Sequence, residues 1–296
     1  MYRKEFTVNR FKKYTLNIII SFTILFLCAN LISYFAVRIF LKDEQKITTK
    51  INDVSISYTK SGKGLPVLLI HDFNSSSDEF GNTAADLSKS YTVISMDLPI
   101  YGSQNSKVDY NVNNLAELCN NFMSSLGYNS YYVIGHGAGA NIALEMCRNY
   151  TSVQKTVLVS LKEKNLTAKP NIMTWLSNKS YFLYMIDYAT KFLNLQHIDM
   201  TILEKNFKAV SRIPYESFKK AYNANFDYKS ETNDKNLNGE VLIIDGKNYD
   251  EASIDYAYTL FSKHNNLKIH TIENCGYHPQ IEAEKMFLSS VEEFLK

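Results

Sequence analysis

The segment "YYVIGHGAGANIALEMC", residues 131–147, sets an apolar run against a glycine-dense turn and follows it with a helical pattern. A strand, a turn of the form Gly-x-nucleophile-x-Gly and a helix together force the central residue into a strained, exposed position, where a hydroxyl, thiol or carboxylate can attack. In Gly135-His136-Gly137-Ala138-Gly139 the central residue is Gly137, which has no side chain. The chemistry such a turn serves is acyl transfer: a nucleophile attacks a carbonyl, a histidine takes its proton, a carboxylate orients the histidine, and backbone N–H groups hold the oxyanion. Two later loops carry titratable side chains that could supply the remaining parts. "DGKNYD" (245–250) offers Tyr249 and Asp250, and "CGYHP" (275–279) offers Tyr277 and His278.

These groups need elements to position them. Apolar runs, most of them rich in Val and Ile and bounded by Gly, Pro or Asp, occur at 66–71, 91–99, 131–137, 156–161, 240–246 and 267–274. Continuous rather than alternating apolar strands belong to a parallel sheet covered on both faces. Helix-period segments at 112–126, 138–150 and 250–263 separate several of them, which gives a doubly wound α/β layout. Residues 46–62 alternate enough for two short antiparallel strands. From 161 to 238 no strand-like run occurs. That interval carries helical stretches at 173–193 and 216–226 and the single tryptophan, Trp175. A helical insertion there can fold as a lid over the carboxyl ends of the strands, where ligands bind in open α/β sheets.

The 296 residues are 45% apolar and 21% charged, with a net charge of +2, which gives no reason to expect a nucleic-acid partner. Cys28, Cys119, Cys147 and Cys275 follow no zinc or redox spacing, so neither a metal nor a cofactor is expected. The N-terminus is more informative. No charge falls between Lys13 and Arg38, and residues 16–37 are dominated by Ile, Leu and Phe. Roughly 20 apolar residues cross a bilayer as a helix, whereas a signal peptide's apolar core is about 7–15 residues and ends at a small-residue cleavage site. The reading is a short basic segment (1–15), an uncleaved anchor (16–41) and a globular domain (46–296) with a helical cap at about 162–238. Arg3, Lys4, Arg10, Lys12 and Lys13 precede the span, which places the N-terminus in the cytoplasm and the domain on the outer side of the cell membrane.

Four stretches in register give the globular domain its resemblance. "LLIHDFNSSSDEF" (68–80), "MDLPIYGSQ" (96–104), "GHGAG" (135–139) and "IENCGYHPQIEAEKMFLSSVEEFL" (272–295) resemble the motifs of the α/β-hydrolase fold, in the branch with an inserted helical cap. The resemblance implies backbone oxyanion donors at Phe73 and Ala138, and a nucleophile, acid and histidine at positions 137, 249 and 277. Those three positions hold Gly137, Tyr249 and Tyr277. Asp250 and His278 each stand one residue late, as remnants of an acid–histidine pair. Asp72 replaces the usual glycine beside Phe73, and a carboxylate there repels a developing oxyanion if it points inward. Asp72, Tyr101 and Trp175 are the pocket or lid candidates.

Three readings follow. The first is a membrane-anchored pseudoenzyme that binds an apolar small molecule under its lid, or a protein partner, without cleaving it. The second is a hydrolase of ester or amide bonds using the displaced Asp250–His278 pair, with Ser160 or Cys275 as the nearest substitute nucleophiles. The third is a structural scaffold. His71 and His136 read as residues that tie turns together, and Asp97 as part of a structural turn. The altered positions favour the first reading, because triad chemistry contributes several powers of ten beyond binding.

Overall fold

A computed structural model of the chain describes residues 2–40, 45–73, 75–99, 108–163, 172–189, 200–229, 237–249 and 251–296. Among the described residues, eight strands form one sheet: β1 (Ile47–Ile51), β2 (Val54–Ser61), β3 (Pro66–Ile70), β4 (Thr92–Met96), β5 (Tyr131–His136), β6 (Val153–Val159), β7 (Glu240–Gly246) and β8 (Leu267–Ile272). The spatial order is β1-β2-β4-β3-β5-β6-β7-β8. β1 and β2 pair antiparallel, as does β2 with β4; every other neighbour is parallel.

The central strands are apolar without alternation because both faces are covered. Leu68, Ile70, Ile94, Val133 and Ile243 face one cluster, with α3 (Val112–Ser125), α4 (Ala138–Asn149) and α9 (Glu251–Phe261). Val67, Leu69, Val93, Ile134 and Ile244 face the other, with α2 (Gly81–Leu87) and α11 (Glu284–Leu295). Each such side chain stabilises by about 1.5–3 kcal/mol when fully buried, so the sheet's interior fixes the frame on which the turns at its carboxyl edge sit.

Between β6 and β7 lies the cap: α5 (Ile172–Ser177), α6 (Tyr181–Ala189), α7 (Met200–Val210) and α8 (Tyr215–Asp227). The helical stretch expected at 173–193 is broken after Ser177. Ser180 restarts it as an N-cap, its hydroxyl accepting from the backbone N–H of Leu183 at 3.2 Å. The second expected stretch, 216–226, is α8, and α7 is a further helix that the periodicity did not single out.

The first helix, α1 (Tyr2–Phe40), is continuous through the basic segment and the apolar run. Residues Lys12–Val37 are long and apolar enough to cross a membrane. The carboxyl half of α1 packs on the cap. Phe26 meets Phe182 edge-to-face at 5.6 Å, Tyr34 meets Phe207 at 6.3 Å, and the Ser180 hydroxyl donates to the Asn30 side-chain carbonyl.

Candidate functional site

β5 delivers the chain to a sharp turn, and α4 begins one residue later. Gly137, between them, has φ +56° and ψ −116°, a backbone conformation that glycine adopts without the strain an L side chain would incur. The flanking glycines serve packing. A Cβ on Gly135 would lie 2.2 Å from the carbonyl oxygen of Gly139, and one on Gly139 would lie 2.2 Å from that of Ile70. The turn is therefore tight for backbone reasons that are independent of any reaction.

Over this turn stands Asp72, just past the end of β3. Its Oδ1 accepts from the backbone N–H of Phe73 at 2.7 Å and of Ala138 at 2.8 Å. Its Oδ2 accepts from the Tyr277 hydroxyl at 2.6 Å. The two donors read as an oxyanion hole are thus occupied by the protein's own carboxylate, so the inward orientation is the one adopted. A Cβ on Gly137 would meet both Asp72 Oδ1 and the Tyr277 oxygen at 2.2 Å. The volume a nucleophilic side chain would need is filled by these two residues.

Tyr277 is locked as a donor. Burial, then the charge of Asp72, then the neighbouring Tyr249 hold its phenol well above the usual range for tyrosine. Its ring lies 4.8 Å from that of Tyr249, and the Lys162 ammonium sits over both rings, at 4.4 Å from Tyr277 and 5.2 Å from Tyr249. Tyr249 and Tyr277, the acid and histidine positions of the resemblance, therefore meet, as a tilted aromatic pair. His278 is buried one residue on, its ring 4.9 Å from the His136 ring and its backbone N–H bonded to Glu282. Asp250 and Tyr101 lie outside the described residues.

Beneath Asp72 is a layer the sequence reading did not find. Glu79, fully buried on the 3-10 turn Ser77–Phe80, accepts from the Asp72 backbone N–H at 2.9 Å and pairs with His136 Nδ1 at 3.2 Å. His136 Nε2 faces the Tyr277 carbonyl at 2.9 Å, an acceptor, so that nitrogen carries a proton. Burial alone would lower the pKa of His136; the charge and hydrogen bond of Glu79 outweigh it and raise the value. Glu79, His136 and His278 bring three ligand-capable atoms within 4.8 Å of one another. His136 already directs Nδ1 to Glu79 and Nε2 to the Tyr277 carbonyl, so the cluster is read as a histidine–carboxylate pair with the His278 ring tilted against it. The signal for Glu79 was faint: an acid seven residues after Asp72, in a stretch otherwise read as loop.

The substitute nucleophiles are placed unfavourably. Ser160 is fully buried with φ +51°, and its hydroxyl donates to the Tyr277 carbonyl at 2.8 Å. Burial, and then Glu282, push the Cys275 thiol up to about 12, so it carries no thiolate near neutrality. His71 links two loops, with Nδ1 on the Asp72 carbonyl at 2.7 Å and Nε2 accepting from the Leu98 N–H at 2.9 Å. Asp97 is structural as read, held by Lys46 at 2.8 Å and by the Ser77 hydroxyl at 2.7 Å.

The cap closes over this arrangement. Tyr222 and Phe218 of α8 lie 5.0 and 6.5 Å from the Phe73 ring, and the Ser76 hydroxyl donates to Asn206 of α7 at 2.7 Å. Trp175 is a cap residue that packs within the cap, its indole N–H on the Ile213 carbonyl at 3.2 Å and its ring 5.4 Å from that of Tyr215.

Comparison with known proteins agrees with this architecture. The structure resembles that of a bacterial membrane phospholipase A, with a TM-score of 0.73 and 15% identity over 96% of this chain and 98% of that one. It also resembles a putative lipase from Acinetobacter baumannii AYE, with a TM-score of 0.72 and 23% identity over 85% and 90% of the two chains. At these identities the likeness is one of fold. In sequence the chain is 32% identical over 94 residues to a soluble epoxide hydrolase of Corynebacterium sp. (strain C12), which is 31% of this chain and 33% of that protein. It is 26% identical over 106 residues to a fluoroacetate dehalogenase of Burkholderia sp., 34% and 35% of the two chains. The chain thus spans about a third of the length of the curated relatives it matches. Residues 66–248 match the profile of the alpha/beta hydrolase fold, well over half of the chain. The chain belongs to the alpha/beta hydrolase fold family.

Proposed function

We propose that this protein is a membrane-anchored, non-catalytic member of its family, whose capped domain binds an apolar or amphipathic molecule, or a protein partner, without cleaving it. The observation that carries this reading is the Asp72 carboxylate seated on the Phe73 and Ala138 N–H groups above a side-chain-free Gly137. Oxyanion stabilisation is commonly the largest single contribution to acyl transfer, and it needs those donors open to the reacting oxygen. Here they already hold a negative charge. All three of its hydrogen bonds, from Phe73, Ala138 and Tyr277, hold the carboxylate in place on the turn. Were Asp72 itself to attack, attacking and developing oxyanion oxygens would compete for the same two donors. By this account the displaced Asp250–His278 pair serves no hydrolysis, and a pure scaffold would not need the aromatic cap.

Helix α1 is read as an uncleaved anchor, with the N-terminus cytoplasmic and the domain outside. Protease added to intact cells should then trim the domain; complete resistance would reverse the orientation.

The full chain, purified in detergent, should show no turnover of short-chain p-nitrophenyl esters and no labelling by a serine-directed fluorophosphonate. Turnover abolished by His278→Ala would replace this reading with the hydrolase. Gly137→Ser alone should restore nothing, since its Cβ would collide with Asp72 and Tyr277.

A further inference from the structure

We propose that the cap is a second membrane element: α5 and α6 lie immersed in the leaflet that the carboxyl half of α1 crosses, their apolar face covered by lipid acyl chains. The inference rests on the anchor reading above and adds where the body sits relative to the bilayer.

The first argument is one of length. The apolar span Lys12–Val37 has 26 residues, about 39 Å of helix at about 1.5 Å per residue, against a hydrocarbon core of roughly 30 Å. Counted from Lys13, about 20 residues of membrane-spanning helix reach Ser33. Phe26 then lies about 10 Å inside the boundary, and Phe26 is the residue against which Phe182 of α6 packs. Were the body to stand clear of the membrane at Phe26, only about 20 Å of helix would remain to cross the bilayer, which is too short.

The second argument is polar. Asn30 lies within the span, where an amide is costly unless bonded. Its Nδ2 donates to the Phe26 carbonyl at 2.8 Å, and its side-chain carbonyl accepts from Ser180, the residue that caps α6. The anchor's amide is satisfied by the cap, which sets Ser180 at the depth of Asn30.

The third is the surface itself. Ile172, Leu176, Phe182, Leu183 and Ile186 expose 39–52% of their area on α5 and α6. This face is continuous with the exposed apolar surface of α1, and contiguous apolar surface of this kind marks a contact with a partner or a membrane. Across α5 and α6 the sequence has two charges, Asp187 in the last turn of α6 and, between the two helices, Lys179. Its ammonium turns inward, donating to the carbonyls of Ser211 and Ile213 and lying 4.7 Å from the Trp175 ring centroid. An interfacial element presents an apolar face to the acyl chains, as these five side chains do.

The test uses the full chain reconstituted in phosphatidylcholine vesicles, with Trp175→Phe as background so that one indole reports. Phe182→Trp, and Leu176→Trp as a second site should the first fold poorly, are compared with Met286→Trp on α11. Vesicles carrying brominated acyl chains should quench the two cap indoles about twofold or more, as expected for residues within the hydrocarbon, and leave the third unchanged. Alkaline carbonate extraction is measured on the same samples. A chain that resists extraction but shows no quenching at either cap site overturns the immersion and leaves the anchor intact, whether that face is bare or covered by a second copy. Equal quenching at all three sites also overturns it. A chain released by carbonate overturns anchor and immersion together.

Discussion

The turn at residues 135–139 and the side-chain layer above it have parted company. The backbone keeps every feature of a catalytic elbow: β5 before it, α4 after it, a positive φ at Gly137, and glycines where strand and helix approach closely. In the layer above, the three positions that the family resemblance gives to nucleophile, histidine and acid hold Gly137, Tyr277 and Tyr249, and the Asp72 carboxylate sits on the Phe73 and Ala138 N–H groups. The difference shows that an elbow can be held by packing alone. Gly135 and Gly139 are fixed by neighbouring carbonyl oxygens whether or not anything reacts there, while the residues that would react are free to change.

This contrast is broken most directly at the backbone. Gly139→Ala places a Cβ 2.2 Å from the Ile70 carbonyl oxygen, which cannot yield without moving β3. The expected loss is about 3 kcal/mol or more, read as a large fall in the thermal midpoint; a midpoint unchanged within error would show that the close approach is not what holds the turn.

A group deeper in the sheet sharpens it from the other side. Asp245, the penultimate residue of β7, is buried with neither carboxylate oxygen hydrogen-bonded among the described residues, and burial pushes its carboxyl up to about 7 from 3.8. With its folded value above its unfolded one, ionised Asp245 opposes folding. That penalty is absent below about pH 4, grows towards about pH 7 and is constant above it, reaching on the order of 4 kcal/mol at about 1.4 kcal/mol per pH unit. Asp245→Asn should therefore stabilise the protein at pH 8 and change little at pH 4, as measured by urea unfolding; a difference independent of pH would contradict this.

Smaller effects belong to the layer itself. Tyr277→Phe removes one of three donors to the Asp72 carboxylate and should cost about 1.5–3 kcal/mol; a neutral outcome would mean that the carboxylate is satisfied from elsewhere. Least is expected from the His136–Glu79 pair. A raised histidine pKa contributes stability that is fully present below the unfolded value near 6.5 and is lost as pH rises through the folded value. Glu79→Gln should therefore destabilise more at pH 5.5 than at pH 9, and the reverse order would contradict the pairing.

The sequence made the frame legible and left half the site obscure, for physical reasons. Continuous Val and Ile runs report burial on both faces, so strands, order and cap could be placed without neighbours in view. The break at Ser180 was missed because apolar periodicity runs across it, although a serine before a helical stretch is itself a capping signal. The alterations at 137, 249 and 277 were visible because motif positions are local. Where the Asp72 carboxylate points depends on Ala138 and Tyr277, far away in sequence, so it could only be left open. Glu79 and Asp245 carry no local signal of burial; one sits in a turn and the other is the penultimate residue of an apolar strand.

The most direct test of the central claim is ester hydrolysis by the full chain beside Asp72→Ala, under identical conditions and with fluorophosphonate labelling in parallel. Neither protein should turn over substrate above the uncatalysed rate, because removing the carboxylate frees the hole but supplies no nucleophile. Turnover by the unmodified chain that Asp72→Ala abolishes would contradict the account, and would make Asp72 the attacking group.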